Sequence, residues 1–268
     1  MNFAPRPGRE FTIPTPADLK KRATVVAAAN PAPILGPQRH PDATYWIETN
    51  AGIAFQHAGC LTLLTDHYKN QIHVVDDVHA EWAHKAAQTR RPPDPWSTDE
   101  VLQAHTKWSR VVAACGVLAD AGHALLGEPV DLPTEEVDAV RKLRDELTAM
   151  PEADPPLRAN DAWTHLGECA TVRAAQLKLR AHTSAPLAEG EERPPLVQVL
   201  VSNDHKALKL AKRNGLGTRT TADVLREMVL ENVLGINANQ AWRLHRVTEE
   251  VATLPKELRP LGPEYFQN

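Results

Sequence analysis

From residue 43 onward the apolar positions alternate between short continuous runs and stripes of helical spacing. Residues 45–47 form a compact β-prone run. Residues 51–67 then place Ile53, Ala54, Ala58, Leu61 and Leu64 three and four apart, which predicts one helix. A second strand is expected at 72–75, followed by a helix from Asp77, a good capping residue, to about residue 87. Ser97 with Glu100 has the form of a capping box and leads into Val101, Leu102, His105, Trp108, Val111 and Val112, so a long helix is expected to about residue 121. Residues 124–132 read as a third strand. A charged helix opens at Pro133 with Val137, Val140, Leu143 and Leu147 on one face, and the prolines of 151–156 close it. A further helix is expected over 167–181. Residues 197–201 are the clearest strand, an almost unbroken apolar run of the kind buried on both faces. Helices at 206–214 and 221–230 bracket a short strand at 217–220, and a last helix covers 239–253. Strands alternating with helices predict an α/β fold with a five-stranded, mainly parallel sheet and an enlarged helical middle. No internal repeat is visible.

Proline density sets off the first segment. Pro5, Pro7, Pro14, Pro16, Pro31, Pro33, Pro37 and Pro41 leave room only for a helix at about 17–29, so residues 1–41 read as an arm. The domain proper is expected at 42–231, with a helical insertion near 90–122 and a C-terminal helical extension at 232–268. With 268 residues and 42% apolar content the chain can bury a sizeable core. Thirty basic against 34 acidic residues give a net charge of −4, so any nucleic-acid contact must rest on a local patch. Cys60, Cys115 and Cys169 are widely spaced and include no Cys-x-x-Cys pair, which speaks against a disulfide framework or a thiolate zinc site and fits a reducing cytoplasm. The N-terminus lacks the apolar run of a signal peptide, and no membrane span is expected.

Four acidic residues carry the chemistry: Glu48, Glu81, Glu168 and Asp204. Each stands where an apolar segment gives way to a turn or helix. In a parallel α/β sheet that is the carboxyl edge, where ligands bind. Carboxylates brought together from distant segments repel, so a fold that collects them has reason to hold a hard cation such as Mg²⁺ or Mn²⁺. Such an ion orients and acidifies an attacking water, which is the chemistry of phosphodiester hydrolysis.

The same segments resemble, in order, the motifs of the PIN-domain family of metal-dependent ribonucleases, which includes toxins of bacterial toxin-antitoxin pairs. Ile47-Glu48-Thr49-Asn50 is similar to the family's first-strand signature of acid, hydroxyl and Asn. Val78-His79-Ala80-Glu81 is similar to its Val-x-x-Glu helix, and Leu166-Gly167-Glu168-Cys169-Ala170 to its Gly-Glu-Ala helix start. Val201-Ser202-Asn203-Asp204 resembles the acidic strand end that follows, and Arg219 to Leu225 resembles the last strand and closing helix. The resemblance implies a PIN-like parallel sheet and a Mg²⁺ or Mn²⁺-dependent endoribonuclease, with Glu48, Glu81, Glu168 and Asp204 as metal ligands and no protein nucleophile. RNA is the implied substrate, with single-stranded DNA as the alternative. An antitoxin or other protein partner, or a homodimer, fits the same family. The family's first acid is ordinarily Asp, and Glu48 in its place, with the acidic total charge, points to a rival reading as a catalytically inactive binding or regulatory module.

Other residues have plainer roles open to them. Thr49, Asn50, Ser202 and Asn203 are turn formers that could also orient water or phosphate. Lys206 and Arg219, beside the acids, are candidate phosphate contacts, although a basic helix face is as often only solvated. Twelve histidines, His73, His79 and His84 among them, show no His-x-x-x-His pair and read as surface residues. Trp108 and Trp163 read as packing residues, and Gly215-Leu216-Gly217 as a turn.

Overall fold

In the computed structural model, which describes residues 32–88, 90, 92–94, 96–150, 163–186 and 195–267, the apolar runs pair into one parallel sheet. Its strands are β1 (Ala43–Ile47), β2 (Ile72–His73), β3 (Val197–Val201) and β4 (Gly217–Arg219), in the order β2-β1-β3-β4. β1 and β3 pair in register from Ala43 with Val197 to Ile47 with Val201, and every residue of both is buried. Strands covered on both faces are largely apolar, and the buried amide of Gln198 is satisfied by accepting from Trp46 Nε1 at 2.7 Å. The helices of the described residues are α1 (Thr49–His57), α2 (Leu61–Tyr68), α3 (Asp76–Ala86), α4 (Asp99–Leu126), α5 (Val137–Thr148), α6 (Leu166–Ser184), α7 (His205–Arg213), α8 (Thr221–Leu230) and α9 (Ala238–Thr248), of which α6, α7 and α8 pack against the strands.

The sheet has four strands among the described residues, not the expected five of a PIN-type sheet. Residues 124–132 do not form the third strand. Cys115, Leu118, Gly122 and Leu126 are buried at three- and four-residue spacing, so the helical stripe of α4 runs on through Leu126 until Gly127, at φ 80°, ends it. Downstream, Val130 alone reaches the sheet, in an isolated parallel bridge to Val75. The helix expected over 51–67 is two, because Gly59 at φ 66° turns the chain between α1 and α2. The Ser97–Glu100 capping box does not form. Thr98 occupies the cap of α4 without a side-chain bond, and α3 starts one residue earlier than expected, at Asp76.

Trp82 is the hub that joins three helices. It is fully buried on α3, its Nε1 donates to the Thr49 carbonyl at 3.1 Å, and its ring packs against Gly52 of α1 and Gly122 of α4. A methyl group at Gly52 would overlap the indole. This packing fixes α1 and α3, hence Glu48 and Glu81, relative to each other. Helix α4, 28 residues long, is long and apolar enough to cross a membrane by length and composition alone, contrary to the expectation that no segment would be; the residues it buries, from Ala114 to Leu126, lie in its second half.

The end of the proline-rich segment and the C-terminal segment both pack on this frame. Leu35 lies against Gly217 of β4, and Arg39 pairs with Glu231 at 3.2 Å while donating to the His67 carbonyl. The helix expected at 17–29 lies outside the described residues. At the other end α9 packs on α8 and α1, Phe266 is fully buried, and the Ala252 carbonyl accepts from Asn203 Nδ2 at 3.0 Å.

Candidate metal centre

β1 and β3 are neighbours in the sheet, but the chain leaves β1 towards β2 on one side and β3 towards β4 on the other. The crevice at their carboxyl ends is therefore a switch point of the topology, the place where parallel α/β sheets bind ligands. Glu48 follows β1 directly, and its N–H donates to the Val201 carbonyl of β3 at 3.3 Å. Asp204 leaves β3 three residues on. Glu168 comes from the first turn of α6 and Glu81 from α3.

Each of these acids is held. Glu48, fully buried, caps α1, with Oε2 accepting from the Asn50 N–H and Oε1 from the Ala51 N–H, both at 2.8 Å. Asp204 caps α7, its Oδ1 accepting from the N–H groups of Lys206 at 2.7 Å and Ala207 at 3.0 Å. Glu81 accepts a short hydrogen bond from the Thr49 hydroxyl on Oε2, and Lys85 stands 3.7 Å from its Oε1. Gly167 explains why a glycine precedes Glu168. A Cβ there would come within 2.5 Å of Glu81 Oε2 and 2.6 Å of Thr49 Oγ1.

The electrostatics tie the four acids together. Burial, and then the charge of Glu168, push the Glu48 carboxyl up to about 8 against its two backbone hydrogen bonds, with Asp204 adding to the rise. Burial raises Glu81 to about 7, with Lys85 opposing and Glu168 reinforcing the shift. Asp204 is raised by burial and by Glu168, against the helix N–H groups it accepts. Glu168 alone goes down: burial would raise it, but the favourable interaction with the nearby His165 ring outweighs that.

His165 is the site residue that the sequence reading missed among its supposed surface histidines. It sits in the turn before α6 in a left-handed conformation, φ 60° and ψ 15°, with Nδ1 3.9 Å from Glu168 Oε1. His165, Glu168 and Asp204 each offer a ligand atom, and these atoms lie within 4.8 Å of one another. Glu168 Oε2 and His165 Nε2 are buried and have no hydrogen-bond partner among the described residues. Buried polar atoms are rarely left so, and orphans on two residues of such a cluster fit a site that takes a cation. Ligand bonds of about 2.1 Å would bring neighbouring donor atoms to about 3.0–3.4 Å, so the three groups need to close by an ångström or so. The cluster is able to coordinate a divalent metal ion.

The candidate substrate contacts divide. Thr49 and Asn50 belong to the site, the first through its hydroxyl on Glu81 and the second through its N–H on Glu48. Ser202 Oγ accepts from the Asp204 N–H at 2.9 Å, and Asn203 Oδ1 accepts from the N–H and hydroxyl of Thr221, so both brace the strand end. Lys206 is buried on the first turn of α7. Arg219 belongs to a different network. Its Nε lies 2.5 Å from Glu227 Oε1, its guanidinium also donates to the Gly36 carbonyl, and Glu227 in turn accepts from the Tyr68 hydroxyl. The expected phosphate contact from Arg219 is replaced by this buried ion pair. The histidines are not uniformly on the surface either: His67 and His245 are buried, and Trp163 stacks on His84 with ring centroids 4.6 Å apart.

No family model matches the chain, and no curated protein or solved structure matches it.

Proposed function

We propose that this chain is a divalent-metal-dependent phosphodiesterase acting on RNA, an endoribonuclease that uses Mg²⁺ or Mn²⁺. The observation that supports it most is the gathering of buried, mutually repelling carboxylates at the switch point, with Glu168 Oε2 and His165 Nε2 unpartnered among the described residues. Glu168, Asp204 and His165 would hold the ion, with Glu48 and Glu81 adding negative charge around it. A cation in such a site supplies Lewis-acid stabilisation of a phosphoryl group and acidifies water. Thr49 fixes the Glu81 carboxylate through its hydroxyl, and Lys85 offsets part of its charge. Burial and the charge of Glu168 favour the protonated form of Glu48, and a bound cation would favour its ionised form. The choice of RNA rests on the ordered motifs that resemble the PIN ribonucleases.

A second reading, a metal-holding module without catalysis, is favoured by one feature. Both oxygens of Glu48 are already engaged by backbone N–H groups. Cleavage assays on structured RNA and single-stranded DNA with Mn²⁺, Mg²⁺ or EDTA separate the two. Metal-dependent cutting of RNA supports the ribonuclease, cutting of DNA alone moves the substrate, and binding without cutting supports the module. Asp204→Asn is the matching variant. Asn still caps α7 well, so the fold should persist while metal-dependent cleavage is lost.

A further inference from the structure

The resemblance assigns this site oxygen ligands only, whereas the structure brings a nitrogen to it. We infer that His165 is a direct ligand of the ion and makes the site select transition-metal cations, Mn²⁺ among them, over Mg²⁺. The inference rests on the metal-dependent reading above and specifies its ion.

The placement of His165 is built, not incidental. The Thr164 carbonyl beside it accepts from Arg144 Nε at 3.0 Å, and the His165 carbonyl accepts from the Cys169 N–H, so the turn is anchored on both sides. The side chain is 10% exposed. Its Nδ1 is 3.9 Å from Glu168 Oε1, beyond hydrogen-bond length, and its Nε2 is buried without a hydrogen-bond partner among the described residues. Glu168, 6% exposed, leaves Oε2 in the same condition. Two neighbouring side chains thus each keep a buried polar atom without a hydrogen-bond partner among the described residues, and each also offers one ligand atom, with one from Asp204, to a set lying within 4.8 Å of one another. A cation between the three residues would take a nitrogen of His165 and an oxygen each of Glu168 and Asp204.

Ligand chemistry then decides which cation. Mg²⁺ prefers oxygen and gives up its water reluctantly, and a neutral imidazole brings it neither charge nor a preferred atom. First-row transition metals accept imidazole readily, with affinity rising from Mn²⁺ through Co²⁺ towards the end of the row. One imidazole with two carboxylates therefore ranks Mg²⁺ below Mn²⁺ and Mn²⁺ below Co²⁺.

The test uses the full chain, stripped with EDTA and dialysed, and titrated calorimetrically with MgCl₂, MnCl₂ and CoCl₂. His165→Asn is the variant, because Asn tolerates the left-handed backbone that His165 adopts. The parent should bind in the order Co²⁺, Mn²⁺, Mg²⁺. His165→Asn should lower the Mn²⁺-to-Mg²⁺ affinity ratio by about tenfold or more, since even outer-sphere partners move metal affinity on that scale. Pulsed electron paramagnetic resonance of the Mn²⁺-loaded parent should show coupling to a directly bound nitrogen. That measurement needs no variant, so misfolding of His165→Asn would not shelter the inference. Mn²⁺ bound without nitrogen coupling, or an unchanged ratio in a folded His165→Asn chain, overturns the role of His165 and leaves the metal reading standing. Failure to bind any of the three ions at millimolar concentration overturns both.

Discussion

Gly167→Ala is the most searching perturbation of this site, because it changes no charge and no donor atom yet falls on the point where α6 meets Glu81. The added methyl would stand 2.5 Å from Glu81 Oε2, 2.6 Å from Thr49 Oγ1 and 3.1 Å from Val78 Cγ2, all closer than van der Waals contact. Against this, replacing Gly by Ala in a helix gains up to about 1 kcal/mol. Overpacking a filled interior costs about 1–3 kcal/mol. Displacing the Thr49 hydroxyl from the Glu81 carboxylate removes a charge-assisted hydrogen bond of about 1.5–3 kcal/mol. The steric and hydrogen-bond losses exceed the propensity gain, leaving a net destabilisation of about 2 kcal/mol or more. For a chain of this size that lowers the melting midpoint by about 4–8 °C. Divalent-metal affinity should fall as well, because Glu168, the next residue, moves with the helix start. Thermal unfolding in EDTA and calorimetric Mn²⁺ titration measure the two effects. A variant as stable as the parent, with the same Mn²⁺ affinity, would refute the claim that Gly167 is required by the approach of α6 to Glu81.

Two further outcomes follow from the buried charges. Glu227→Ala leaves the buried Arg219 guanidinium without its carboxylate and should cost about 3–5 kcal/mol in urea unfolding, whereas a loss below about 1 kcal/mol would mean that the carbonyls of Gly36 and Gln38 suffice. In EDTA, stability should fall as the pH rises from about 6.5 to about 8, because Glu48 and Glu81, raised to about 8 and about 7 chiefly by burial, keep protons in the fold that the unfolded chain has already lost. His67 and His73, each pushed down to about 4 by burial, act in the opposite sense, but only below their ordinary value of 6.5. The rise in melting midpoint on adding Mn²⁺ should accordingly be larger at the alkaline end, and a profile in EDTA that is flat or rising over this range would contradict the placement of these carboxyls.

What the sequence revealed and what it hid have physical causes. The run Val197-Gln198-Val199-Leu200-Val201 was legible because a strand buried on both faces needs almost continuous apolar residues, and Asp204 because an acid at a strand end is visible as such. The false strand at 124–132 came from reading Ala124, Leu125 and Leu126 as a new apolar run when they finish the stripe begun at Cys115. His165 was hidden for a different reason. Its spacing to Glu168, three residues, could be read from the chain, but its ring meets Asp204 only through a left-handed turn that nothing in the side-chain pattern announces. Arg219 shows the converse error: a basic residue near an acidic motif was assigned outward to phosphate, when Glu227, eight residues on, claims it inside the core.

Glu48, standing where the PIN resemblance leads one to expect Asp, is explained by the same geometry. Its longer side chain lets each oxygen take a separate N–H of the first turn of α1, from Asn50 and from Ala51. A carboxylate engaged twice in this way offers its charge to the crevice but little free ligand capacity, and it is accordingly not among the three residues whose donor atoms converge. The nitrogen of His165 restores the count. Imidazole adds a donor atom without adding a fifth negative charge to a cluster whose Glu48, Glu81 and Asp204 are already raised, by burial first and by the charge of Glu168 after it. A neutral ligand in place of an anionic one also spares Glu168 a further like charge beside it. The two departures from the expected pattern, Glu for Asp at 48 and a histidine ahead of Glu168, are thus complementary: the first withdraws an oxygen ligand into a helix cap, and the second supplies a nitrogen in its place.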